Sequence, residues 1–325
     1  MERQSRIMRH DPDDNMRTTH TTAPLEPSHL FGEGISHYHV WTTTTDGSDD
    51  DDDDDDDDDG SSGGGGRERR KRRARRRRKE HRLIQLTWTS KVGRVYSLPE
   101  LTPLREFEFD TSTGEGWGIT FVSHRNEFYV SDGSEYLSVW DADTLAEKRR
   151  IVVTFEGGGG GGGGENAKRR IRHLNELEFV DFAVVAPDCN DDDDYSRTAT
   201  EGGGGNDNDV WWCAETGTTT CSDDDEGSSS PSSFSPTMAI LANLWYQDVL
   251  VSIDPESGEI NRVFDLRDIY PKDMREEDGS DCLNGISVTG RRRKSNDEGL
   301  EVWVTGKLWP SMYRIELNVD RNYII

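Results

Sequence analysis

The chain has 325 residues, a net charge of −26 and 31% apolar residues, so its length admits one or two domains and its acidity argues against a nucleic-acid surface on the folded part. No stretch approaches the roughly 18 consecutive apolar residues that a membrane helix needs. The four cysteines, Cys189, Cys213, Cys221 and Cys282, form no CxxC pair and no metal-ligand spacing.

In chain order, residues 1–30 contain no apolar segment of the kind an export signal carries and read as a disordered lead-in. A strand opens at Phe31-Gly-Glu-Gly34. Along it His37 and His39 alternate with Tyr38, so both imidazoles face one side; zinc there would need at least one more ligand, and no metal is assigned. Residues 46–81 then form an insert that combines an unbroken acidic run, Asp49 to Asp59, with Arg67 to Lys79, which holds eleven Lys or Arg. A basic run of this length can bind polyanions or direct nuclear import. Beside so long an acidic run it reads more simply as half of a self-neutralising loop. Two further inserts, 157–166 with its glycine run and 189–236 rich in Asp, Gly, Ser and Thr, bury nothing and are expected as loops outside the core. A Cys213–Cys221 disulfide inside the last insert is open if the chain meets an oxidising compartment.

Between the inserts the sequence reads as strands and tight turns. Val92–Tyr96 leads to Leu104–Phe109, Tyr136–Trp140 to Lys148–Val153, and Val249–Ile253 to Ile260–Phe264, the last two pairs joined through Asp-containing turns. Each hairpin, or its counterpart, follows a strand ending in a small or polar pair, as in Tyr129–Gly133, Ala242–Trp245 and Val302–Gly306. One more strand per unit starts from a Gly or Asn motif: Glu33-Gly-Ile35, Trp117-Gly-Ile119, Asn175-Glu-Leu177 and Asn284-Gly-Ile286. With the inserts set aside the units recur at roughly 50 residues, the period of four-stranded propeller blades. Helix is expected only as a minor component, with Leu266 to Met274 as its short piece.

Five short segments carry a family resemblance. Phe31-Gly-Glu-Gly34, Gly116-Trp-Gly118, His173-Leu-Asn-Glu-Leu177, Asn243-Leu-Trp245 and Trp303-Val-Thr-Gly-Lys-Leu-Trp-Pro310 resemble, in order and in wording, the signatures of the plant and bacterial type of glutaminyl-peptide cyclotransferase, over residues 31 to 317. The resemblance implies an all-β, five-bladed-type β-propeller with four-stranded antiparallel blades, working as a monomer without cofactor or catalytic metal. Its expected substrates are peptide or protein N-termini bearing Gln, closed to pyroglutamate with loss of ammonia; no nucleic acid or membrane partner is expected. The ordered part of residues 31–325 suffices for about four blades at 45 to 50 residues each. Family members have a further blade before Phe-Gly-Glu-Gly, with a Phe-Thr-Gln-Gly motif, and residues 1–30 contain nothing similar. They are generally secretory-pathway proteins.

The resemblance and the chemistry agree on a site. The substrate's own α-amine attacks its own γ-carboxamide, so proximity is largely built in. What remains is proton transfer, and one carboxyl group placed between the two nitrogens can take a proton from the first and deliver it to the second. Glu33, flanked by glycines, matches the family glutamate for that role, although Gly-Glu-Gly is also a common turn. Asn175 and Lys307 are candidates to hold the developing oxyanion, against an Asx-turn for Asn175 and a surface charge for Lys307. Phe31, Trp88, Trp117 and Trp245 match substrate-lining positions, where flat walls suit a carboxamide and exclude water; blade packing also welcomes Trp. Trp140, Trp303 and Trp309 are assigned to packing, and Trp211 and Trp212 to nothing. Two competing readings are a propeller that binds without turnover and a metal-dependent lactonase-type hydrolase using Glu33, Asn175 and Asn284 as ligands.

Overall fold

The computed structural model describes residues 5–11, 17–26, 30–44, 76–156, 168–181, 238–292 and 299–318. An N-terminal hairpin, β1 (Met8–Asp11) and β2 (Arg17–Thr21), precedes the first blade: β3 (Gly32–Thr44), β4 (Arg76–Thr87), β5 (Val92–Ser97) and β6 (Pro103–Glu108). The second blade is β7 (Ile119–Val122), β8 (Glu127–Ser131), β9 (Tyr136–Asp141) and β10 (Glu147–Val152). After a short ribbon of β11 (Thr154–Glu156) and β12 (Lys168–Arg170) comes the third, β13 (Leu174–Asp181), β14 (Met238–Leu244), β15 (Val249–Ile253) and β16 (Ile260–Asp265). The helix α1 (Lys272–Asp278) leads into the fourth, β17 (Leu283–Arg292), β18 (Gly299–Gly306) and β19 (Tyr313–Asn318). Each blade is an antiparallel meander, and the four together make a four-bladed β-propeller. The last blade has three described strands rather than the expected four.

Local chemistry sets the turns. Between β9 and β10, Asp141 Oδ1 accepts from the backbone N–H and the hydroxyl of Thr144 (2.9 Å each). Between β15 and β16, Asp254 Oδ1 accepts from the N–H groups of Glu256 and Ser257 (2.8 Å each). Both are Asx-type reversals.

The core is a set of slabs between successive blades. Tyr38, Ile84, Leu86 and Val95 of the first blade meet Ile119, Phe128, Val130 and Trp140 of the second. Tyr129, Leu137 and Val139 meet Leu174, Leu177, Ile240 and Val251, and Leu241, Leu250 and Phe264 meet Leu283, Val302 and Leu317. Consecutive residues of β8 and β14 therefore serve opposite slabs, which is why Phe128-Tyr-Val130 and Ala239-Ile-Leu-Ala242 are continuous apolar runs. The first strands pack in chain order, β3 on β7, β7 on β13 and β13 on β17.

Three expectations are corrected. The described part of residues 1–30 is built into the fold rather than a disordered lead-in: Ile7 packs on Tyr96 and Leu101 beside Leu83 and Leu98, Leu25 is 1% exposed, and Arg94 donates to the carbonyl of Glu26 (2.7 Å). Because Leu83 and Tyr96 pair next to Ile84 and Val95, the hairpin segment covers the first-blade face turned away from the second blade. Its strands are too short and polar to show a period. The insert 46–81 also ends earlier, since Arg76–His81 belong to β4 and pair with His39–Thr44; a basic run keeps its full set of backbone donors and acceptors, and β3 offers the complementary edge. The inserts 157–166 and 189–236, with Cys213, Cys221, Trp211 and Trp212, lie outside the described residues. Finally, helix begins at Lys272 rather than at Leu266: Pro271 precedes it, where a missing N–H costs nothing, and Gly279 (φ 76°) ends it.

Candidate functional site

Cross-strand register shows that the site comes from two positions of the blade repeat. At the start of the first strands stand Glu33, Trp117, Asn175 and Asn284; just past the second strands stand Trp88, Gly133, Trp245 and Lys307. In a meander, the start of every first strand and the end of every second strand share one face of the ring, so these residues converge. Seven side chains line one pocket of about 120 Å³: Phe31, Glu33, Trp88, Trp117, Asn175, Trp245 and Lys307. All seven residues proposed from sequence are brought together.

An ion pair spans the junction of the fourth and first blades. Lys307 Nζ donates to Glu33 Oε1 at 2.8 Å, with the glutamate side chain 8% exposed, and Asn284 Nδ2 reaches the same oxygen at 3.5 Å. Lys307 is therefore not a free surface charge. Asn175 is buried and its Oδ1 has no hydrogen-bond partner among the described residues, which leaves an acceptor at the pocket wall. Its backbone carbonyl accepts from Ser131 Oγ (2.7 Å), and that oxygen accepts in turn from the Gly118 N–H (2.8 Å). The hydroxyl thus ties the first strands of the second and third blades.

The apolar wall is built of edge-on rings. Trp117 and Trp245 meet at 5.2 Å and 73°, Phe31 and Trp88 at 6.3 Å and 72°, and His173 stacks on Trp117 at 6.5 Å. In the second blade the position of Trp88, Trp245 and Lys307 is Gly133, with φ 77°; a Cβ there would lie 2.7 Å from the Trp117 ring. The glycine makes the floor on which that indole rests. Trp140 and Trp309 are in packing roles, Trp309 against Tyr270 and Tyr313. His81 lies opposite His39, and its Nδ1 is 2.9 Å from His37 Nε2. Burial, with the neighbouring His81, pushes His37 down to about 4. No group of ligands among the described residues is arranged to hold a metal ion.

Sequence reasoning missed two glutamates that follow Asn175 on β13. Burial, reinforced by the charges of Glu33 and Glu178, pushes Glu176 up to about 8, with Lys307 opposing. Burial pushes Glu178 up to about 7, partly offset by the Val288 N–H that its Oε1 accepts (3.1 Å). The alternation Asn-Glu-Leu-Glu was the available signal, since Leu177 faces a core slab and its neighbours must not. Both carboxyls hold protons in the folded chain that the unfolded chain releases from about pH 4.5 upward. Their contribution to stability is complete below that pH and is lost as pH rises through about 7 to 8. Replacing both by Gln should flatten the fall of Tm between about pH 5 and 8; parallel Tm–pH curves for parent and variant would contradict the assignment.

Residues 77–193 and 236–317 match a family model described as glutamine cyclotransferase. Trp88, Trp117, Asn175, Trp245 and Lys307 fall inside those segments, and Phe31 and Glu33 precede them. Glutaminyl-peptide cyclotransferase of Arabidopsis thaliana is 23% identical over 237 residues, 73% of this chain and 50% of the relative. The chain thus spans about half the length of that curated relative. A crystal structure of Myxococcus xanthus glutaminyl cyclase aligns with 92% of this chain and 76% of its own, at 17% identity and a TM-score of 0.45.

Proposed function

The chain belongs to the glutamine cyclotransferase family, and from that premise we propose that it closes the N-terminal glutamine of peptides or proteins into pyroglutamate and releases ammonia. The observation that carries this reading is the pocket itself: a Glu33–Lys307 ion pair and the amide of Asn175 set among tryptophan walls.

Each part has work in the reaction. The α-amine, whose ordinary pKa is about 7.7 to 8.0, is partly neutral near pH 7 and needs no strong base. As its nitrogen bonds to the side-chain carbonyl carbon, Glu33 takes the proton the nitrogen sheds. Lys307 gives one N–H to Glu33 and has others to offer the oxyanion, and the Asn175 Oδ1 can accept from the amine and so select its orientation. When the carbon–nitrogen bond of the carboxamide breaks, Glu33 returns its proton to the leaving nitrogen, and ammonia departs. The indole and phenyl walls hold the aliphatic stem and keep out water that would otherwise yield glutamate.

The test is ammonia release from a Gln-initiated dipeptide by the 325-residue chain, with pyroglutamate identified in the product. Formation of both in equal amounts is the expected result. Binding of the dipeptide without ammonia would make the pocket a recognition site and overturn the proposal.

A further inference from the structure

Glu115 has no role in the chemistry above, yet it sits where two blades meet the pocket. Its Oε2 accepts from Trp88 Nε1 at 2.9 Å and from Trp117 Nε1 at 2.7 Å. Trp88 stands just past the second strand of the first blade and Trp117 just before the first strand of the second, so one carboxylate oxygen joins two walls that come from different sheets. Trp88 is 43% exposed, with Phe31 as its ring neighbour. The loop that presents Glu115 is itself fixed. Thr111 Oγ1 donates to the Glu115 carbonyl (2.7 Å), the Glu115 N–H donates to Thr113 Oγ1 (3.2 Å), and the Thr113 N–H donates to Asp132 Oδ2 (3.0 Å).

We propose that Glu115 is the positioning residue of the aromatic walls, holding the indole planes of Trp88 and Trp117 and thereby setting the affinity for an N-terminal glutamine. Two effects follow from one contact. A charge-assisted acceptor at both N–H groups locks the rotamers in advance, so substrate binding spends less on ordering the walls. Negative charge at the N–H edges also raises electron density on the ring faces, which favours a cationic or amino end lying against them. The inference rests on the proposed cyclisation for its kinetic arm, and its spectroscopic arm is independent of it.

The experiment compares the full chain with Glu115→Ala and Glu115→Gln by ¹⁵N-indole spectra and by kinetics on a Gln-initiated dipeptide. The signals of Trp88 and Trp117 are identified by Trp88→Phe and Trp117→Phe. Glu115→Ala should move both indole N–H signals upfield while the other tryptophans stay in place. It should raise KM about tenfold, the equivalent of one charge-assisted hydrogen bond, with kcat changed far less. Glu115→Gln keeps an acceptor carbonyl and should recover most of both effects; it also serves if the alanine variant does not fold. Unmoved indole signals, or moved signals with unchanged KM, would overturn the proposal, as would a fall confined to kcat. If the parent chain releases no ammonia, the functional reading fails, and the indole shifts alone then decide whether Glu115 holds the two walls.

Discussion

Glu33→Gln is expected to lower kcat for ammonia release by roughly 100- to 10,000-fold, the range that general acid–base catalysis supplies, while KM changes little. The substitution keeps the length and the hydrogen-bonding reach of the side chain. The carboxamide oxygen it introduces can still accept from Lys307 Nζ, so the 2.8 Å contact across the junction of the fourth and first blades survives with a neutral acceptor. What is lost is the titrating group, which in the proposed reaction takes a proton from one nitrogen and returns it to another. The walls Trp88, Trp117 and Trp245 line the same pocket and are untouched, which is why binding should persist. A variant that keeps more than about a tenth of the parent rate, above what loss of a general acid–base group allows, would return Glu33 to the role of a turn residue.

The features legible in the sequence are those that repeat. Glu33, Trp117, Asn175 and Asn284 each precede Gly or Glu and then Ile or Leu, and that wording marks one position of the blade whatever the insert lengths between copies. Strand polarity then dictates that they share a face, and the residues past the second strands follow by register. Asp141 and Asp254 were readable for a local reason, because their turns are closed by side chains within three residues. The illegible features depend on residues far apart in sequence. Glu176 looks like any polar strand residue until Glu33 and Lys307 are brought beside it. The role of Glu115 exists only where two blades meet. The hairpin of β1 and β2 has four- and five-residue strands, too short for a period, and is recognised by what Ile7 and Leu25 cover. Arg76–His81 look like part of a charged loop because composition says nothing of the backbone edge that β3 presents.

Gly118→Ala is expected to be the most damaging single change at the blade junctions, to stability and activity together. A Cβ at Gly118 would lie 2.0 Å from the Asn175 carbonyl oxygen and 3.0 Å from Asn175 C and Leu177 N. All three are backbone atoms of β13, so no side-chain rotation relieves the contact, and the third blade's first strand has to retreat. That retreat opens the Ser131 bridge, in which the hydroxyl accepts from the Gly118 N–H and donates to the Asn175 carbonyl. Overpacking costs about 1 to 3 kcal/mol, and each buried polar group left unpaired adds about 1 to 3. At about 2 to 4 °C per kcal/mol for a domain of this size, Tm should fall by roughly 10 °C. Activity should fall with it, because Asn175 moves with its strand and a displacement of about 1 Å at a positioning group can cost on the order of 100-fold. Gly279→Ala is the control. Gly279 also closes a structural element and has φ 76°, but nothing lies within 4 Å of its Cβ position. Its substitution carries only the conformational cost of a left-handed residue, about 1 kcal/mol, and should leave kcat/KM unchanged. If Gly118→Ala melts no lower than Gly279→Ala, the first strands of the second and third blades are not in the close contact described. The convergence of Trp117 and Asn175 on one pocket would then need another cause.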